Sequence, residues 1–146
     1  MRTALVGRPI DVGALVREVG GEANGAISLF VGTVRNVNEG RAVDGIEYNA
    51  YAPMAEREMA AIAEEAAARF DTRDIVIEHR TGFLSLGEAS VAIAVAHARR
   101  APAIDGAAWI IEALKRRVPI WKLEHYVDGT REWVAQLPAA EASPDA

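Results

Sequence analysis

Lys115-Arg116-Arg117-Val118-Pro119-Ile120-Trp121-Lys122-Leu123-Glu124 is the stretch that decides how the chain is read. Upstream of it, Ile104, Ala107, Ala108, Ile111 and Leu114 recur at helical spacing, so an apolar stripe runs up to Lys115. Pro119 has no backbone N–H to donate and drives Val118 out of the helical region, which stops the helix at about Arg117. Beyond the proline the sequence alternates. Trp121, Leu123 and Val127 are expected on the buried face of a strand, with Lys122, Glu124 and Tyr126 on the wet one. A helix therefore ends in cations, turns at a proline, and a strand returns Lys122 nearby. By charge pattern alone this is a dipole-complementing helix end followed by a solvated strand face.

Composition narrows the options. A chain of 146 residues, 51% hydrophobic and 25% charged, suits one soluble domain with a genuine core. The net charge of -5 argues against nucleic acid as a partner, and makes the local cation cluster stand out. There is no cysteine, which excludes disulfides, thiolate metal sites and a persulfide carried on this chain. His79, His97 and His125 lack metal-ligand spacing, so no metal and no cofactor are expected. The opening residues are broken too soon by Gly7 and Pro9 for a signal peptide, and no apolar run reaches membrane-spanning length. The expectation is a cytoplasmic protein with no membrane partner.

Taken in order, Thr3 to Val6 reads as a short strand, and Asp11 caps a helix from Val12 to Val19 that Gly20 stops. Ala26 to Val31 reads as a strand buried on both faces. Gly32 to Gly40 is a polar loop, and Val43 to Tyr51 a strand expected to pair back across it. Pro53 opens a helix to about Phe70, with Ala55, Met59, Ile62, Ala63, Ala66 and Phe70 on its buried stripe. Ile75 to His79 and Val91 to His97 form a hairpin. A helix starts near Pro102, Asp128-Gly129 is a turn, and Glu132 to Val134 is the last strand. Helices mixed with hairpins give an α+β domain over 1–137, followed by a disordered tail over 138–146.

Lys-x-x-x-Pro-Ile-Trp-Lys-x-Glu after an apolar helix resembles the signature of the molybdopterin synthase catalytic (large) subunit family. Three further segments resemble that family in the same order: Phe30-x-Gly32-x-Val34-Arg35-Asn36, Tyr48-x-Ala50-Tyr51-x-Pro53-Met54-Ala55, and His79-Arg80-x-Gly82. The resemblance covers about Ala26 to Val134. It departs from the family at Arg99-Arg100, where the family usually has His-Arg, so an acid–base role for that histidine does not carry over.

The resemblance implies an α/β-hammerhead-type single domain with antiparallel hairpins and about three helices. It implies a sulfurtransferase that converts cyclic pyranopterin monophosphate (precursor Z) to molybdopterin, in molybdenum cofactor biosynthesis. It implies as partner a small ubiquitin-like sulfur-carrier subunit with a C-terminal Gly-Gly thiocarboxylate, and a homodimer within a heterotetramer. Lys115 and Lys122 are the expected catalytic residues. Thr33, Val34, Arg35, Arg99, Arg100, Leu123 and Glu124 join them on the pterin phosphate. Charge from Arg116, Arg117 and Lys122 is expected to favour a neutral Lys115. The alternative is a non-catalytic module that docks a partner protein's C-terminal carboxylate on the same cations.

Overall fold

The computed structural model describes residues 1–135. The expected tail over 138–146 lies outside them. Twelve elements follow one another. They are β1 (Arg2–Val6), α1 (Val12–Val19), β2 (Ala26–Thr33), β3 (Val37–Asn38), β4 (Arg41–Ala50) and α2 (Ala52–Phe70). Then come β5 (Ile75–Arg80), β6 (Gly82–Ser85), β7 (Ala89–His97), α3 (Arg100–Arg117), β8 (Ile120–Tyr126) and β9 (Arg131–Ala135). This is an α+β chain with three helices and mostly antiparallel pairing among the described residues, as expected of an α/β-hammerhead-type domain.

Two sheets divide the strands. The first runs β1-β5-β7-β2, with β1 parallel to β5 and the other pairs antiparallel. The second runs β3-β4-β8-β9, and β6 pairs with β4. β5 and β7 pair antiparallel as the sequence suggests, but β6 leaves their connection to join the other sheet. β4 does not pair with β2, which is taken by β7; only the two-residue β3 folds back on β4. β2 is an edge strand and is not buried on both faces, with Ile27 and Leu29 42% and 39% exposed.

β7 explains the layering. Val91, Ile93 and Val95 face the helices α2 and α3, while Ala92, Ala94 and Ala96 face α1 through Leu15 and Val19. The small alanines let α1 lie close to the sheet. α1 starts where expected, with the Asp11 side chain accepting from the Ala14 N–H. α3 buries Ala103, Gly106, Ala107, Ile110, Ile111, Ala113 and Leu114, whereas Ile104 and Ala108 of the expected stripe are exposed. Its buried stripe is marked by small residues because a close approach selects them. A Cβ on Gly106 would sit 3.3 Å from Val95 Cγ1.

The faces of β8 are the reverse of the expected ones. Ile120, Glu124 and Tyr126 are buried, while Trp121 and Val127 are 42% and 63% exposed. The cause is Glu124, a carboxylate that the interior holds with specific partners, so a polar residue occupies the inward phase. In β4 a register shift between Val43 and Gly45 brings Val43, Ile46 and Tyr48 to the buried side together. Gly45 is required there, because a Cβ would stand 2.9 Å from the Leu84 carbonyl oxygen as well as pressing on the Phe83 ring.

Candidate functional site

The C-terminus of α3, the inward face of β8 and the loop after β2 converge on one cavity of about 230 Å³. Gly32 and Val91 form part of its floor with Phe30, Val43, Ile46 and Ile111. A side chain at position 32 would meet Val91 Cγ1 at 2.8 Å, so glycine keeps the floor open. The polar wall is Thr33, Arg35, Asn38, Tyr48, Ser90, Lys115, Lys122 and Glu124. The chain has only two lysines, and both line this cavity. Every other basic side chain, histidine apart, is arginine, which stays charged; lysine is the one that can be neutralised.

Lys115 sits in the last turn of α3. Its side chain is exposed as a whole, but its ammonium is partly desolvated against the cavity wall. That desolvation is the main cause lowering its pKa from the usual lysine value; the Lys122 charge adds to it and Glu112 opposes it. Arg116 and Arg117 do not contribute as expected. Arg117 turns to α2, where it meets Glu58 at 3.1 Å and Glu65 at 2.7 Å, and Arg116 is exposed.

Lys122 pairs with Tyr48 across β4 and β8, and Glu124 pairs with Ile46. Glu124 is 2% exposed, so its carboxylate needs partners. Its Oε2 lies 3.4 Å from Lys122 Nζ, and its Oε1 accepts from the Tyr126 hydroxyl at 3.0 Å. Ser90 donates to the Gly32 carbonyl at 3.3 Å, and burial raises the Tyr48 pKa.

The remaining expected site residues divide. Thr33 and Arg35 line the cavity. Val34 does not; its side chain is buried in the core, and its backbone bonds to Glu88 and Gly87 fix the start of the loop. Leu123 lies on the outward phase of β8, opposite Trp133 and Glu47. Arg99 and Arg100 are exposed at the other end of α3 and border a separate hollow with Gly25, Ala98 and Ala101. His97 is buried, and its Nδ1 accepts the Arg99 N–H at 2.9 Å. This bond holds the backbone that leads into α3. Among the described residues no group of three metal-binding side chains comes together. Asn38, Tyr48, Ser90 and Tyr126 are the polar residues that sequence reasoning missed. The signal for Tyr48 was its shared phase with Ile46 in β4; Tyr126 was hidden by the reversed phase of β8, and Asn38 and Ser90 left none.

His79 backs the site from behind Tyr48, with ring centroids 5.3 Å apart. Its Nδ1 lies 2.9 Å from the Arg80 carbonyl, and Arg80 meets Glu88 at 3.0 Å. Burial, with a smaller push from Lys115, lowers the His79 pKa from 6.5 to about 4, against the Arg80 carbonyl bond. The unfolded chain therefore takes up this proton first as pH falls. The stability from a neutral His79 is full above pH 6.5 and is lost towards pH 4. Between pH 7 and pH 4 the parent should lose about 3 kcal/mol more than His79→Gln in urea unfolding. An equal loss in both would remove His79 from the acid sensitivity.

Comparison with known proteins places this geometry in a family. A family described as MoaE protein matches residues 5–117. The chain is 48% identical over 109 residues to the "Molybdopterin synthase catalytic subunit" of Bos taurus, covering 75% of this chain and 58% of that one. It is 41% identical over 126 residues to the Rattus norvegicus protein of the same name, covering 86% and 63%. The chain thus spans less than two thirds of the length of these relatives. Among solved structures, molybdopterin synthase from Staphylococcus aureus superposes with a TM-score of 0.82 at 34% identity, over 89% of this chain and 94% of that one.

Proposed function

The chain belongs to the MoaE protein family, and from that premise we propose that it is the catalytic subunit of a molybdopterin synthase. Its substrate is cyclic pyranopterin monophosphate, and the reaction inserts two sulfurs as the dithiolene of molybdopterin. The sulfur arrives as the C-terminal thiocarboxylate of a small ubiquitin-like partner, whose Gly-Gly tail reaches towards Lys115. The absence of cysteine fits a donor on another chain. The observation that carries this reading is the meeting of Arg35, Lys115, Lys122 and buried Glu124 on one cavity.

Each group has a role that its surroundings support. Arg35 holds anionic oxygens of the substrate with a planar fork. Lys115, displaced towards its neutral form, is base or nucleophile. Lys122, held by Glu124, stabilises negative charge that develops on oxygen as sulfur adds. Arg99 and Arg100 bind the phosphate from a second copy. About 15 residues at 1.5 Å each put them roughly 22 Å from Lys115 along α3, too far for one small ligand to span. A two-fold dimer brings one copy's Arg100 to the other's Lys115. Among the described residues no helix is long and apolar enough to cross a membrane, and the reading places the reaction in the cytoplasm.

The test is direct. The protein is combined with a thiocarboxylated carrier and the cyclic pterin, and dithiolene product is sought. Product that depends on both supports the reading. No product from a competent carrier overturns it.

A further inference from the structure

We infer that Tyr126 is a positioning residue for Lys122, and that Asn38 ties the loop over the cavity to that lysine through the Tyr126 hydroxyl and the Glu124 carboxylate. The inference rests on the reading above for its consequence in turnover, but its geometry stands apart from that reading.

The chain of contacts is continuous. The Asn38 side-chain amide donates to the Tyr126 hydroxyl at 3.1 Å. That hydroxyl donates to Glu124 Oε1 at 3.0 Å, and Glu124 Oε2 faces Lys122 Nζ at 3.4 Å. The Asn38 bond pulls the Tyr126 pKa down, but burial and the Glu124 carboxylate push it up, and the net direction is up. The phenol therefore keeps its proton, which fixes the order of donors from Asn38 to Glu124. A lysine ammonium on a four-carbon stem has no preferred direction of its own. The buried carboxylate supplies one, and Tyr126 occupies the oxygen that would otherwise be free to turn the carboxylate away.

Tyr126 is also clamped from the loop side. The Arg41 guanidinium lies over its ring, 3.5 Å from the centroid. Arg41 is fixed in turn by Glu132 and Thr130, each at 2.6 Å, on the far side of the β8–β9 turn. Asn38 and Arg41 flank Glu39 and Gly40, whose φ values of 50° and 80° close a tight left-handed turn. One hairpin thus holds Tyr126 by its ring and by its hydroxyl. The same segment carries Arg35 on the cavity wall. Docking of this hairpin and the direction of Lys122 are one event.

The lysine content makes the test clean, because lysine labelling gives only two side-chain signals, Lys115 and Lys122. Tyr126→Phe keeps the ring under Arg41 and removes the hydroxyl; Asn38→Ala removes the other end of the chain. Neither side chain bonds to Lys122 itself, yet the Lys122 ammonium signal should move in both variants. Turnover should fall about tenfold in kcat with KM changed less than about twofold, and the double variant should be no worse than Tyr126→Phe alone. A Lys122 signal at its parent position in both single variants overturns the inference. So does a double variant in which the two losses simply multiply. If Tyr126→Phe fails to fold, Asn38→Ala, on the loop, decides the matter. If the parent makes no dithiolene, the reading of function fails, and the lysine signals alone decide the positioning role.

Discussion

Lys115→Ala should cut single-turnover product formation by about 10³-fold, the scale of a lost general base or nucleophile. Folding should be unaffected, since the side chain is exposed and none of the ion pairs among the described residues uses it. Affinity for the carrier should stay near the parent value. A variant that turns over normally would remove Lys115 from the chemistry, and one that mainly loses carrier affinity would favour the docking module. The pH profile adds a second arm. Neutral amine accumulates as pH rises through the lowered Lys115 pKa, so the rate should climb there. Lys122→Gln removes the charge that helps to lower it, and the climb should move to higher pH. A climb that stays in place would mean that another group sets the profile.

Mixing two inactive variants, Lys115→Ala and Arg100→Ala, should restore activity. If each pocket takes Lys115 from one copy and Arg100 from the other, a mixed dimer has one pocket with both defects and one intact. Random exchange makes half of the dimers mixed, so about a quarter of all pockets should be native. The roughly 22 Å of helix between the two cation sets is the reason to expect this. Mixed dimers that are demonstrably present but inactive would show that each pocket draws both groups from one chain.

Local signals were legible in the chain, and non-local ones were not. The cap at Asp11, the stop at Gly20 and the break at Pro119 act within a few residues, and the helices begin and end close to where those signals put them. Lys115, Lys122, Glu124, Thr33 and Arg35 were expected through the family resemblance and not from charge pattern alone, and they line one cavity. The inward phase of β8 was hidden, because alternation assumes that apolar residues point in, and here Glu124 does. The register shift in β4 concealed that Val43 shares the buried side with Ile46 and Tyr48. Asn38 could not be found at all, since its partner Tyr126 lies on a different strand of the sheet.

The order of pairing also bears on how the protein is made. β2 closes only against β7, and Ala26 waits for His97, about seventy residues later in synthesis; at about 5–20 residues per second that is roughly 4 to 14 s. β4 waits likewise for β8, and β1 for β5. The first sheet cannot be completed before His97 is out of the ribosome, and the second waits for the C-terminal third. Throughout that interval Ile27, Leu29 and Phe30 sit on an unpaired strand. Until β7 emerges β2 is an open apolar edge, and a ribosome stalled before that point would leave it exposed to non-native pairing.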